Sequence, residues 1–200
     1  MHLGSGCMYQ GDNNGKGWSE EDEPNFYGPQ FYAITKIDAE RTLRHLPGLI
    51  IRLRMPIDDR PVVEYRDGKK WARDFISKVA GYKRVIDVQN SMTTVPHMIK
   101  AIGALIEKRA NGIYNFTNAG TMSAADLMGM YREIVAPEHK FEVFSLEELD
   151  KITLGKRSNC ILDSSKLERE LRGTGAEMPE IHIAAEECLR RYRDNLKHCT

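Results

Sequence analysis

The sequence predicts an α/β fold built on largely parallel strands, and three observations carry that reading. Short apolar, β-branched runs alternate along the chain with amphipathic stretches long enough to act as crossover helices. The strand candidates are bounded by Gly and Pro, as buried sheet strands are. The 200 residues are 41% hydrophobic, enough to bury a core. That length suits one domain, or one domain with a fragment of another.

Residues 1 to 10 read as the end of a strand running into a loop, and residues 11 to 30, rich in Gly, Asn, Asp, Glu and Pro, as a long surface loop. A helix is expected from about Gln30 to Leu46, closed by the breaker pair Pro47-Gly48. LIIRLRMP, ending at Pro56, has the composition of a buried strand. IDDRPVVEYRDGKK is polar and turn-rich, and WARDFISKVAGY reads as a short amphipathic helix. RVIDV, GIYNFTN and KFEVFS are further strands. VPHMIKAIGALIEKR is a helix with Pro96 near its start, where a missing N–H costs least. SAADLMGMYREIV is a helix with Ser123 at its N-cap and Asp126 at the third helical position. SLEELDKI begins another capped helix, and EIHIAAEECLRRYRDNL is helical.

Lys plus Arg equals Asp plus Glu, 29 each, so no bulk binding to nucleic acid or an anionic membrane is expected. No apolar run approaches the roughly 18 residues of a bilayer span. MHLGSGCMYQ lacks the pattern of a signal peptide, and the expected location is the cytoplasm. Cys7, Cys160, Cys188 and Cys199 form no CxxC pair and no zinc set with the six histidines. Reduced thiols and no metal are expected. GDNNGKG has three residues between its first two glycines instead of the four of a phosphate loop, with Gly17 where Ser or Thr would hold magnesium. No G-x-G-x-x-G is present.

Tyr32 and Lys36 stand four residues apart, on one helix face. A lysine ammonium beside a phenol favours the phenolate, which suits a tyrosine that exchanges a proton with a carbonyl or alcohol oxygen. The pair alone equally suits a solvated helix face. Ser5 lies upstream at a strand mouth, where a hydroxyl can bond the same oxygen or simply close a turn. Arg52 and Arg54 share one side of their strand, facing either a site mouth or a structural salt bridge.

Ser5 followed by Tyr-x-x-x-Lys and a buried strand resembles the extended short-chain dehydrogenases/reductases. SGCMYQ, EEDEPNFYGPQFYAITKIDAE, RLRMPI, FISKVAGYKRVIDVQNSMT, GIYNFTN and RSNCILDSSKL are similar, in order, to blocks of the nucleotide-rhamnose synthase/epimerase-reductases and the dTDP-4-dehydrorhamnose reductases. The resemblance runs from about residue 2 to 195 and corresponds to the family's C-terminal two-thirds. It implies a Rossmann-like fold lacking its N-terminal strands, with a small α/β substrate-binding region. Residues 1–56 would be the end of the dinucleotide-binding fold, and 57–200 the substrate-binding region interleaved with the last sheet strands.

The resemblance also implies an activity. A nucleotide-linked 4-keto-6-deoxyhexose, carried on UDP or dTDP, would be epimerised at C3 and C5 and reduced at C4 with NADPH or NADH. Tyr32 would protonate the C4 oxygen, Lys36 would tune Tyr32 and hold the nicotinamide ribose, and Ser5 would complete the triad. Cys7 and Lys78 would be the acid–base pair of the epimerisation; their plain alternatives are a structural Cys and a surface Lys. Because Cys7 follows Ser5 by two residues, a continuing strand would point both the same way. Asn90, Ser91 and Met92 would contact sugar or base, and Arg157 would fork onto the diphosphate; otherwise these form a loop and a surface charge. The Gly-rich cofactor half has no counterpart in these residues, so an exposed sheet edge is expected. A partner supplying that half, or a homodimer through the Tyr-Lys helix, is expected too. Two other readings remain: a non-catalytic reductase-like domain binding a nucleotide sugar or a protein, and another NAD-dependent nucleotide-sugar epimerase or dehydratase.

Overall fold

The computed structural model describes residues 1–27, 31–67, 69–152 and 157–197. In chain order the elements are β1 (His2–Ser5), α1 (Phe31–Leu43), β2 (Leu49–Leu53), β3 (Pro56–Ile57), β4 (Val63–Arg66) and β5 (Lys69–Ala72). Then come α2 (Phe75–Ala80), β6 (Arg84–Ile86), β7 (Thr93–Thr94), α3 (Val95–Glu107) and β8 (Gly112–Asn115). They are followed by α4 (Ala124–Ile134), β9 (Glu142–Phe144), α5 (Leu146–Ile152), α6 (Ser165–Leu171) and α7 (Ile181–Leu196).

The expected α/β organisation is present. A parallel sheet runs in the order β1-β2-β8, and the short pairs β3-β7 and β6-β9 are parallel as well. The exception is β4-β5, an antiparallel hairpin inside the stretch whose composition reads as turns. Its sequence signal is Asp67-Gly68, a two-residue hairpin pair, with Asp67 at φ 51°. Helix α6 is a second element that the sequence reading does not contain.

Local chemistry sets the helix starts. Asp74 caps α2 by accepting from Ser77 N at 2.7 Å, and its other oxygen accepts from Val62 N at 2.8 Å, tying the hairpin segment to the helix. Ser123 and Asp126 form the expected capping box on α4. Glu180 caps α7 by accepting from His182 N at 2.9 Å.

Three apolar clusters hold the layers. One packs α2, α4 and α7 around Ile57, Met92, Leu127 and Leu189. A second packs α3 and α6 on the sheet through Ile51, Leu105, Phe116 and Leu167. The third joins Met8, Tyr9, Ile37, Cys160 and Leu162. It gathers residues far apart in sequence, because Gly11 bridges to Cys160 and Trp18 to Leu162.

The segment expected as a surface loop is therefore partly interior. Glu20 is buried and accepts from Asn115 N at 2.8 Å, and Phe26 is buried as well. GDNNGKG belongs to this docked segment. Gly17, at φ 76°, lies so close to the Leu162–Asp163 backbone that a Cβ would sit 2.9 Å from Asp163 N.

Arg52 of β2 locks α1 to the sheet. It is 1% exposed and grips Glu40 of α1 through Nε–Oε2 at 2.8 Å and Nη2–Oε1 at 2.6 Å. The salt-bridge alternative for Arg52 is the one the structure shows. Within the described sheet β1 pairs only with β2, and its Leu3 is half exposed. Among the described residues no helix is long and apolar enough to cross a membrane.

Candidate active site

The segments that follow β1 and β2, the start of α1, helix α2 and the β6-β9 pair enclose a cleft of about 420 Å³. Each wall supplies a chemically distinct group. Helix α1 contributes Tyr32, which is 52% exposed. Lys36 follows one turn on, with its Nζ 5.7 Å from the Tyr32 ring centroid. Neither the Tyr32 hydroxyl nor the Lys36 ammonium has a hydrogen bond to another described side chain or backbone atom. The chain turns at Gly6 just after β1 and delivers Cys7 to the cleft. In α2, Ile76 faces the core, and Phe75, Lys78 and Val79 line the cleft. The returning segment brings Arg157, Ser158 and Asn159.

The lining is cationic and aromatic. Arg54, Lys78, Arg84 and Arg157 line the cleft, and among the described lining residues there is no carboxylate. Phe26, Phe75, Tyr82 and Phe144 supply ring surface. Arg84 stacks on Phe144 at 4.6 Å and is held by Glu148 at 2.9 Å. A concave surface of one charge sign with apolar walls concentrates ligands of the opposite sign.

Of the residues singled out in the sequence, Tyr32, Cys7, Lys78 and Arg157 are brought together here, with Lys36 beside Tyr32. Ser5 is 3% exposed and does not line the cleft; its Oγ accepts from Cys7 N at 3.1 Å. The strand ends at Ser5, so the alternation that would point Ser5 and Cys7 the same way does not extend to Cys7.

Asn90, Ser91 and Met92 are all buried and lie outside the lining. Asn90 accepts from Arg54 Nη2 at 2.6 Å and from Cys160 N at 3.0 Å. Ser91 accepts from Leu162 N at 2.9 Å, and Met92 sits in the α2-α4-α7 core. These residues build the floor that carries Arg54 and the 158–162 segment. Arg84, Ser158, Asn159 and the aromatic walls escape the sequence reading. No local pattern marks them, since only the pairing of β6 with β9 and the bridges at Cys160 and Leu162 bring them to one place.

A parallel sheet flanked by a Tyr-x-x-x-Lys helix, with a ligand-sized cleft at its strand ends, is the architecture of the extended short-chain dehydrogenases/reductases. Within that class the chain is a relative of the nucleotide-rhamnose epimerase/reductases. It is 35% identical over 176 residues to the bifunctional dTDP-4-dehydrorhamnose 3,5-epimerase/dTDP-4-dehydrorhamnose reductase of Arabidopsis thaliana, covering 85% of this chain and 56% of that protein. The crystal structure of the L780 UDP-rhamnose synthase from Acanthamoeba polyphaga mimivirus superposes with a TM-score of 0.80 at 30% identity, over 94% of this chain and 63% of that one. A dTDP-4-dehydrorhamnose reductase from Bacillus anthracis, solved in complex with NADP, has the same fold, with a TM-score of 0.65 at 19% identity, over 96% of this chain and 63% of that one. No family model matches the chain. The chain spans between 25% and 56% of the length of the curated relatives named for rhamnose synthesis.

Proposed function

We propose that this chain carries the substrate-handling part of an NAD(P)H-dependent 3,5-epimerase/4-reductase acting on a UDP- or dTDP-linked 4-keto-6-deoxyhexose. The carrying observation is the cleft, where Tyr32, Cys7 and Lys78 meet among three arginines with no described carboxylate. A nucleotide sugar fits such a lining: its diphosphate takes the guanidinium groups, Arg157 foremost, and its rings take the aromatic walls.

The residues present fit the nicotinamide-ribose end of NADPH or NADH. Tyr32 and Lys36 are neighbours on one helix face, with their polar ends uncommitted to other described groups. The sequence contains no Gly-rich turn for the pyrophosphate end. When bound, the cofactor supplies the hydride for the C4 ketone. Tyr32 donates its hydroxyl proton to the C4 oxygen, and Lys36 stabilises the charge left on the phenol oxygen. Cys7 and Lys78 exchange protons with the carbons flanking the ketone, whose acidity the carbonyl raises. Ser5 acts from behind by holding the Cys7 backbone.

On this reading residues 1–56 belong to the dinucleotide-binding part and 57–200 to the substrate part, and the enzyme works in the cytoplasm. The outer face of α1, with Phe31 at 78% and Ile34 at 38% exposure, supports a homodimer through this helix; a partner that covers the β1 edge is the other arrangement. Titration of the 200-residue chain with UDP-rhamnose and with NADPH tests both halves of the proposal. Micromolar sugar-nucleotide binding that weakens at least tenfold in Arg157→Ala supports the cleft assignment, and no binding in either chain overturns it. In a preparation that oxidises NADPH with the keto sugar, Tyr32→Phe abolishes the oxidation while substrate still binds; normal turnover by that variant overturns the role of Tyr32.

A further inference from the structure

Arg54 follows β2 directly and is 2% exposed, yet its surroundings differ from those of Arg52 two residues earlier. Arg52 has a carboxylate partner, whereas Arg54 has none among the described residues. Its Nη2 donates to Asn90 Oδ1 at 2.6 Å and to Ser158 O at 3.1 Å. Its Nη1 donates to Ser158 Oγ at 3.2 Å and to Cys7 Sγ at 3.0 Å, while Nε is buried without a partner. A guanidinium keeps its proton inside a protein, and a buried charge without a counter-charge is strongly unfavourable. Its four described acceptors are three neutral oxygens and one sulfur. The sulfur alone can become an anion.

The local sequence makes room for this contact. A Cβ on Gly6 would stand 2.8 Å from both Cγ and Cδ of Arg54, so only glycine lets the arginine stem lie beneath the turn that carries Cys7. The remaining titratable neighbours do not compete for the role. Burial pushes the Cys160 thiol up, and it donates to Gly6 O. Across the cleft stand Tyr32 of α1, Lys78 of α2, Arg84 of β6, and Tyr82 and Arg157 from the connecting segments.

We propose that Arg54 is the counter-ion and positioning residue of Cys7, so that Cys7 meets its substrate as a thiolate held toward the cleft by Nη1. In the epimerisation the C–H bond beside the ketone breaks, its electron pair enters the enolate, and its proton forms the S–H bond of Cys7. An N–H bond of the Lys78 ammonium then breaks and its proton forms the new C–H bond on the opposite face. Exchange with water restores both groups. The proton-transfer steps rest on the function proposed above; the ion pair does not.

Iodoacetamide alkylation of the 200-residue chain across pH, with peptide mass spectrometry to isolate Cys7, tests the pair without substrate or cofactor. Cys160 and Cys188 are fully buried and serve as slow internal references. Wild-type Cys7 is expected to react at near its maximal rate at pH 7. Arg54→Met, of similar length without the charge, is expected to react about tenfold or more slowly at pH 7 and to catch up in alkali, since tenfold corresponds to one unit in the titration midpoint. Arg54→Lys is expected to recover most of the rate. Superimposable profiles for wild type and Arg54→Met overturn the proposal, as does Arg54→Lys behaving like Arg54→Met. Should Arg54→Met fail to fold, the wild-type profile decides: a midpoint near that of an ordinary thiol, about 8.5, overturns the pair. A chain that passes this test yet takes up no solvent deuterium at C3 and C5 of the keto sugar refutes the epimerase reading and leaves the pair standing.

Discussion

Replacing Glu40 with alanine leaves the Arg52 guanidinium charged, 1% exposed and without its bidentate partner. What remains around it is weaker compensation: the carbonyls of Ser19 at 3.2 Å and Glu20 at 3.3 Å, Asn115 Oδ1 at 3.4 Å, the face of Tyr9 at 5.3 Å, and the charge of the buried Glu20 carboxylate, which is itself bonded to Asn115 N. Breaking one side of such a buried pair costs about 3–5 kcal/mol. For a chain of this size, where each kcal/mol moves the melting temperature by about 2–4 °C, the expected drop is roughly 6–20 °C. The double variant Arg52→Met/Glu40→Leu removes both charges and is expected to be markedly more stable than Glu40→Ala alone, because apolar packing offsets the lost bonds. Urea unfolding of wild type, Arg52→Met, Glu40→Leu and the double completes the cycle. A Glu40→Ala loss under about 1 kcal/mol, or a double variant as unstable as the two singles added together, would refute the argument that this pair is a buried and mutually dependent clamp. The clamp also holds α1, and with it Tyr32 and Lys36, against the sheet. Glu40→Gln is therefore expected to lower turnover as well as stability.

Other outcomes follow from single interactions. Ser123→Ala removes the side-chain half of the α4 capping box and is expected to cost about 1 kcal/mol in thermal or urea unfolding, with no effect on ligand binding; an unchanged midpoint speaks against the cap. His97 is 9% exposed, and burial holds it below the usual imidazole range despite Glu187 at 3.1 Å. With its folded value below its unfolded one, His97 contributes stability above pH about 6.5 that is lost as pH falls toward the folded value. His97→Gln should flatten that part of the stability–pH curve, and a curve of unchanged slope contradicts the assignment. Cys7→Ala or Lys78→Ala should reduce solvent-deuterium uptake at C3 and C5 far more than it reduces reduction of an already epimerised ketone. Equal losses in both steps would deny the two residues a distinct role.

The sequence by itself determined the class of fold and the helix face that Tyr32 and Lys36 share. Alternating short apolar runs and amphipathic segments demand an α/β sheet, since each helical stripe and each buried strand must cover the other. Ser123-x-x-Asp126 and Pro96 mark their helix starts by chemistry confined to one turn. Tyr32 and Lys36 face the same way because helical periodicity leaves them no choice.

Tertiary structure decided everything that depends on contacts between distant segments. Arg52 and Arg54 are indistinguishable on a strand diagram, yet one finds Glu40 and the other Cys7, because α1 and the Gly6 turn approach the sheet at different places. Asn90, Ser91 and Met92 read in the sequence as substrate contacts or a plain loop, and they lie buried beneath the 158–162 segment, whose pairing with Gly11 and Trp18 no local pattern encodes. The cationic character of the cleft arises in the same way. The whole chain is neutral, and only folding gathers Arg54, Lys78, Arg84 and Arg157 around one cleft whose described lining holds no carboxylate. Helix and strand periodicities are short-range properties of the backbone. Charge partners and cavity walls are set by which elements pack together.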